Sequence, residues 1–200
     1  MLDLFCGRFG WGREFARRGW EVVGVDLVEP AEIPHGCTFM EFDVLDLCLL
    51  GGDLRIDGRS FDFICASSPC EQFSKFGMPN FYPNPPYPKL GIKLFNHTRE
   101  ICEASGVPYV MENVWGAQKF VGDAAAHCGP YFLWGSGVPA ILPQGFRKGG
   151  RLGTGGWQHT GSKNKKENAA QVATIPPELA ATVADFAERI LETDHVPVEG

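Results

Sequence analysis

Five short apolar runs, each delivering a polar residue at or just beyond its end, constrain this chain more than any other feature. Residues 2–5 enter the glycine-rich turn CGRFGWG, and residues 20–27 (WEVVGVDL) carry Asp26 at their end. Residues 38–44 carry Asp43, residues 61–66 (FDFICA) lead into Ser67-Ser68-Pro69-Cys70, and residues 107–111 deliver Glu112 and Asn113. Their length and their β-branched and aromatic content read as strands. Between them, residues 12–18 (GREFARR) read as a helix closing near Gly19. Residues 90–105 read as another, with Leu90, Leu94, Ile101 and Cys102 at helical spacing and Gly106 as its stop. Strands alternating with helices predict an α/β fold, a Rossmann-like, doubly wound and mostly parallel sheet. A last helix opens at Pro176-Pro177, with Leu179, Val183, Phe186 and Ile190 expected on its buried face.

A chain of 200 residues suits one well-buried domain. No apolar run approaches the roughly 20 residues of a membrane helix, and MLDLFCGRFG lacks the order of a secretory signal. A soluble, cytoplasmic protein with no membrane partner is expected. Seven cysteines, at positions 6, 37, 48, 65, 70, 102 and 128, form no CxxC pair and no Cys/His cluster. Reduced thiols and no bound metal follow as expectations.

The formal net charge of -6 is unevenly distributed. Residues 72–99 contain no acid and carry Lys75, Lys89, Lys93 and Arg99. Residues 124–166 contain none either and carry Arg147, Lys148, Arg151, Lys163, Lys165 and Lys166. Ten of the eighteen basic residues therefore sit in acid-free stretches, while the other eight share the rest of the chain with all twenty-four acids. A basic face on an acidic body is the footprint expected of phosphate contact.

Gly7, Gly10 and Gly12 lie between a strand and a helix, where small residues let a ligand approach the backbone. Asp26 and Asp43, at the ends of the next two strands, suit ribose hydroxyls and an adenine amino group respectively. Cys70 follows a strand at the edge of the sheet where α/β proteins bind ligands, an accessible position for a nucleophile. Cys65, inside its strand, reads as a structural thiol. Thiol addition to carbon 6 of a cytosine converts carbon 5 into a carbon nucleophile, and a partly desolvated carboxyl group facing ring nitrogen 3 eases that addition. Glu112 answers that description, with the Asn113 amide holding the turn beside it.

These segments together resemble the cytosine-C5 DNA methyltransferase family, in particular its short phage-type members. DLFCGRFGWG resembles the family's DLFCGxGGxS, SSPCEQFS its PCQxFS, MENV its ENV, and AAQVATIPPELAATVADFAERI its C-terminal QIGNxVPPxLAxxVAxxI. The resemblance implies the class I S-adenosylmethionine-dependent methyltransferase fold, with S-adenosylhomocysteine as product and double-stranded DNA as partner. It also implies a monomer in the cytoplasm of a bacterial or phage-infected cell. By position it makes Cys70 the nucleophile and Glu112 the cytosine-binding acid. Phe5, Asp26, Leu27, Asp43, Val44 and Pro69 become cofactor contacts, to which the glycine turn adds Gly7 and Gly10; Ser74, Lys75, Arg147, Lys148 and Arg151, in or beside the basic stretches, are expected to contact DNA. A catalytic domain over 1–128, a basic recognition region over 129–168 and a C-terminal helix over 169–194 packing back on the first are expected. The proline-aromatic loop 77–89 is expected to close over a base turned out of the duplex.

The match departs from the family at four places. Phe9 stands where glycine is usual, Gly12 where serine is usual, and Glu71 where glutamine follows the catalytic cysteine. No segment matches the family's QxRxR, so Arg147 or Arg151 would have to hold the cytosine carbonyl. Phe9 and Gly12 are expected to alter cofactor fit, and Glu71 to disfavour a thiolate beside it. The nearest alternatives are the same cysteine addition on RNA or with a modified S-adenosylmethionine donor. A catalytically weak DNA-binding module is a further one.

Overall fold

The computed structural model describes residues 1–49, 53–74, 88–144 and 174–194. These form one seven-stranded sheet and four α-helices. The strands are β1 (Leu2–Leu4), β2 (Val22–Asp26), β3 (Cys37–Glu41), β4 (Ile64–Ala66), β5 (Tyr109–Asn113), β6 (Ala126–Cys128) and β7 (Tyr131–Trp134). The helices are α1 (Gly12–Arg17), α2 (Lys89–Ser105), α3 (Gln118–Val121) and α4 (Pro177–Asp194).

In space the strands run β3-β2-β1-β4-β5-β7-β6. The first five are mutually parallel, with Leu4 level with both Val25 and Ala66, and Ala66 level with Met111. Strand β7 is antiparallel to both β5 and β6. Parallel strands need both faces covered, and alternation along each strand serves both. Leu2, Leu4, Val23, Val25, Ile64, Ala66, Tyr109 and Met111 pack on one side with Phe95, Ile101 and Cys102 of α2. Val22, Cys65, Val110 and Leu133 pack on the other with Phe15 of α1 and Leu179 and Val183 of α4. The architecture is thus α/β, mostly parallel and compatible with a Rossmann-like fold.

Several boundaries differ from the sequence reading. Strand β3 stops at Glu41, and Asp43 instead caps a 3-10 turn, Val44–Asp46, accepting the Leu45 N–H through Oδ1 at 2.9 Å. Such local side-chain bonding competes with strand extension. Glu112 and Asn113 lie within β5. Strand β7 carries the sheet past residue 128, where the recognition region was expected to begin, because its pairing with β5 buries Leu133 and Trp134. On α4 the buried residues are Leu179, Ala180, Val183, Ala184 and Ala187, with Phe186 and Ile190 only partly covered. Alanine lets a helix sit close to its neighbours, which displaces the larger side chains to the flank. Helix α2 ends as expected, on Gly106 at φ 69°.

Candidate functional site

The order of the sheet changes direction between β1 and β4, the place where open α/β sheets bind ligands beyond the carboxyl ends of their strands. Each candidate residue is best placed against that edge. Beyond β1 the chain turns sharply, with Phe5 at φ 57°, Gly7 at 49° and Phe9 at 58°. Asp26 reaches across from β2 and accepts the Gly7 N–H through Oδ2 at 2.9 Å and the Leu27 N–H through Oδ1 at 2.7 Å. Leu27 and Val28 beside it are exposed, at 60% and 72%. Val44 opens the 3-10 turn and is buried in the core. An acid with lone pairs to spare beside exposed apolar side chains suits a nucleoside, whose sugar is polar and whose base is flat and apolar.

The two departures in the glycine turn are one exchange of volume. Phe9 is fully buried, and its ring fills the space over Gly24 of β2, where a Cβ would strike it. A Cβ on Gly12 would come within 2.8 Å of the same ring and 3.1 Å of Asp3 Oδ2. Phe9 thus packs into the core against the sheet. A left-handed backbone costs a non-glycine residue about 1–2 kcal/mol, and burying the ring offsets it with about 1.5–3 kcal/mol. Gly10 answers to packing as well, because a Cβ there would lie 3.0 Å from the Ile175 nitrogen.

Asp3, which the sequence reading passed over, anchors this turn. It is buried in β1 and its Oδ2 accepts the Gly12 N–H at 3.0 Å, satisfying a donor of the first turn of α1. Burial pushes its carboxyl group up to about 8; the Gly12 hydrogen bond opposes the shift and the charge of Asp26 adds to it. Its signal in the sequence was an acid between Leu2 and Leu4, in an otherwise apolar strand.

Cys70 lies four residues beyond β4, half-buried, with its carbonyl accepting the Phe73 and Ser74 N–H groups at 3.0 Å each. Buried and part-buried hydrogen bonds hold its loop from three directions. Asn113 Nδ2 donates to the Ser68 carbonyl at 3.0 Å and to Ser68 Oγ at 3.1 Å. Trp11 Nε1 donates to Ser67 Oγ at 2.9 Å, coupling the glycine turn to the same loop. Gln72 Oε1 accepts the Gly91 N–H at 2.7 Å, capping α2 from outside the helix. Pro69, Glu71 and Gln72 line a cavity of about 310 Å³ against Leu90, Gly91 and Leu94, and Glu71 itself is exposed. A larger cleft, about 520 Å³, opens at the opposite end of the sheet between Met1, Trp20, Arg59 and Leu191, away from all of these residues.

Burial raises the thiols of Cys6, Cys37, Cys65, Cys102 and Cys128, which keeps them protonated. Of the remaining two, Cys48 is exposed beyond the 3-10 turn and Cys70 stands at the ligand end of the sheet. Glu112 is buried on the neighbouring strand, on the face that also holds Tyr131. Burial, and then the charge of Glu112, pushes the Tyr131 phenol up to about 12. The sheet therefore brings Cys70, Glu112 and Asn113 to one end of two adjacent strands.

The basic footprint divides. Arg99 donates to the Val121 carbonyl at 2.7 Å and lies 4.8 Å over the Phe95 ring, so it joins α2 to α3. Lys89 and Lys93 are exposed on α2. Lys75, Arg147, Lys148, Arg151, most of the loop 77–89 and the recognition region beyond residue 144 lie outside the described residues. Among the described residues no group of three His, Cys, Asp or Glu side chains gathers to hold a metal, and no helix is long and apolar enough to cross a membrane. In comparisons with protein-family models and with curated proteins, the chain matches none.

Proposed function

We propose that the protein is a cytosine-C5 DNA methyltransferase that transfers a methyl group from S-adenosylmethionine to a cytosine turned out of duplex DNA. The observation that carries the reading is the common end of β4 and β5. There a half-buried thiol, Cys70, four residues beyond β4, and a buried acid, Glu112, within β5, come from distant motifs to the same end of adjacent strands, and Asn113 ties the Cys70 loop to β5. The strand order and the helices on both faces are compatible with the class I S-adenosylmethionine-dependent methyltransferase fold that the resemblance implies.

The residues beyond β1 and β2 fit the cofactor. Exposed Leu27 and Val28 offer an apolar wall for adenine, and Asp26 retains lone pairs for ribose hydroxyls beyond the two it spends on Gly7 and Leu27. The bare Cα of Gly7 leaves room at the turn, and Pro69 closes the side next to the thiol. When bound, S-adenosylmethionine supplies the electrophilic methyl group.

Cys70 adds as the thiolate to carbon 6 of the cytosine. Glu112 hydrogen-bonds or protonates ring nitrogen 3, drawing electrons from the ring and favouring that addition. After carbon 5 has been methylated, loss of its proton and departure of the Cys70 sulfur restore the ring. Asn113, Trp11 and Gln72 hold the loop, so the thiol reaches the base without ordering the chain at the moment of reaction.

The test is incubation of the protein with tritiated S-adenosylmethionine and mixed-sequence duplex DNA, beside a Cys70→Ala variant. Label in 5-methylcytosine that disappears in the variant is the expected result. Label that persists in the variant, or no label from a protein that binds the cofactor, would overturn the proposal.

A further inference from the structure

Among the described residues, Trp115 is the most exposed aromatic side chain, at 62%, while Trp11 and Trp134 are buried. Its backbone is fixed on both sides. Before it, Asn113 Oδ1 accepts the Val114 N–H at 2.8 Å. After it, a Cβ on Gly116 would collide with the Phe73 carbonyl, so the chain is pressed directly against the turn that carries Cys70. Ala117 is buried and donates to the Val114 carbonyl at 3.0 Å, closing the 3-10 turn Trp115–Ala117. A large apolar ring is therefore held in solvent on a rigid support, three residues from Glu112. One helical turn on, Lys119 is exposed and its Nζ lies 5.7 Å from the Phe120 ring centroid.

An exposed indole followed four residues later by an exposed cation matches the chemistry of a nucleotide, a flat base that stacks and a phosphate that pairs. We infer that Trp115 is the platform on which a base flanking the turned-out cytosine stacks, with Lys119 against the backbone phosphate. The inference rests on the proposed function and adds to it a substrate contact outside the motifs of the resemblance. Stacking here holds the neighbouring base while the target base leaves the duplex and its own stacking is lost.

The test measures binding of a fluorescein-labelled mixed-sequence duplex to the full chain at fixed salt, for wild type, Trp115→Ala, Trp115→Phe and Lys119→Gln. Trp115→Ala weakens binding about tenfold, the effect of removing one stacked base. Trp115→Phe stays within about threefold of wild type because a smaller aromatic still stacks, and Lys119→Gln flattens the salt dependence. S-adenosylmethionine affinity and thermal midpoint are unchanged in Trp115→Ala. Wild-type affinity in Trp115→Ala, with wild-type methylation of DNA intact, would overturn the stacking role and leave the proposed function standing. A lowered thermal midpoint or a lost cofactor affinity in Trp115→Ala would overturn it in favour of a structural or cofactor role. A wild-type protein that neither binds nor methylates DNA would overturn both.

Discussion

The two flanks of the ligand end of the sheet are built differently. On the β4–β5 side, buried or part-buried hydrogen bonds of the Asn113, Trp11 and Gln72 side chains tie the Cys70 loop to β5, to the glycine turn and to α2. On the β2–β3 side, Asp26 and Asp43 bond mainly to nearby main-chain N–H groups, and Leu27, Val28 and Phe42 face solvent. One flank satisfies itself and holds its reactive groups in place. The other keeps apolar surface and acceptor capacity that a ligand can use. The contrast suits the proposed function, in which covalent chemistry on a base would depend on fixed geometry and exchange of a soluble cofactor on access.

The largest break in this comparison comes at the joint between the flanks, the Phe9 ring. Phe9→Ala empties a fully buried site and costs about 3 kcal/mol in urea unfolding. Phe9→Gly removes the same ring and also relieves the left-handed backbone, so it is the more stable of the two variants, reversing the usual order of alanine and glycine. A Phe9→Gly variant less stable than Phe9→Ala would mean that the φ of 58° is not adopted in solution.

Next comes the fixed flank. Asn113→Ala leaves the buried Ser68 groups without their donor and costs about 2 kcal/mol. Because the Cys70 loop then loosens, kcat falls more than KM for S-adenosylmethionine changes. An equal effect on both would mean that the flanks are one unit.

Asp3 sharpens the comparison through pH. Its carboxyl group is raised from 3.8 to about 8 in the folded protein, so the folded state holds a proton that the unfolded chain has already released. Its contribution to stability is complete below pH 4 and is lost progressively as pH rises to about 8, with a slope of at most about 1.4 kcal/mol per pH unit. Asp3→Asn keeps an acceptor for Gly12 and removes this slope, which urea midpoints measured from pH 5 to 8 would reveal as a flatter profile. The smallest effect belongs to the open flank. Leu27→Ser leaves the thermal midpoint unchanged, the side chain being exposed, and weakens S-adenosylmethionine binding about fivefold by calorimetry. A drop in thermal midpoint would assign Leu27 to the core.

The alternation of strands and helices, and the positions of Asp26, Cys70 and Glu112 at or near strand ends, were legible in the sequence. Periodicity, glycine stops and strand-length apolar runs are local signals that each segment carries by itself. Arg99 shows where such signals end. It reads as one of four cations in an acid-free stretch, yet the contact of α2 with α3 commits it to the Val121 carbonyl and the Phe95 ring.

The sequence by itself determined an α/β chain with a glycine turn after its first strand and a thiol, an acid and an amide at the ends of later ones. Only the tertiary structure decided that Phe9 packs down onto Gly24, that Asp3 caps α1 from inside the sheet, and that β7 enters antiparallel beside β5. It likewise decided that Asn113 bridges to Ser68 and that Trp115 stays in solvent on a fixed backbone. The physical reason is the same in each case. Volume, burial and the pairing of polar groups are properties of side chains brought together from distant positions, and a local pattern says which residues are available but not which partner each one meets.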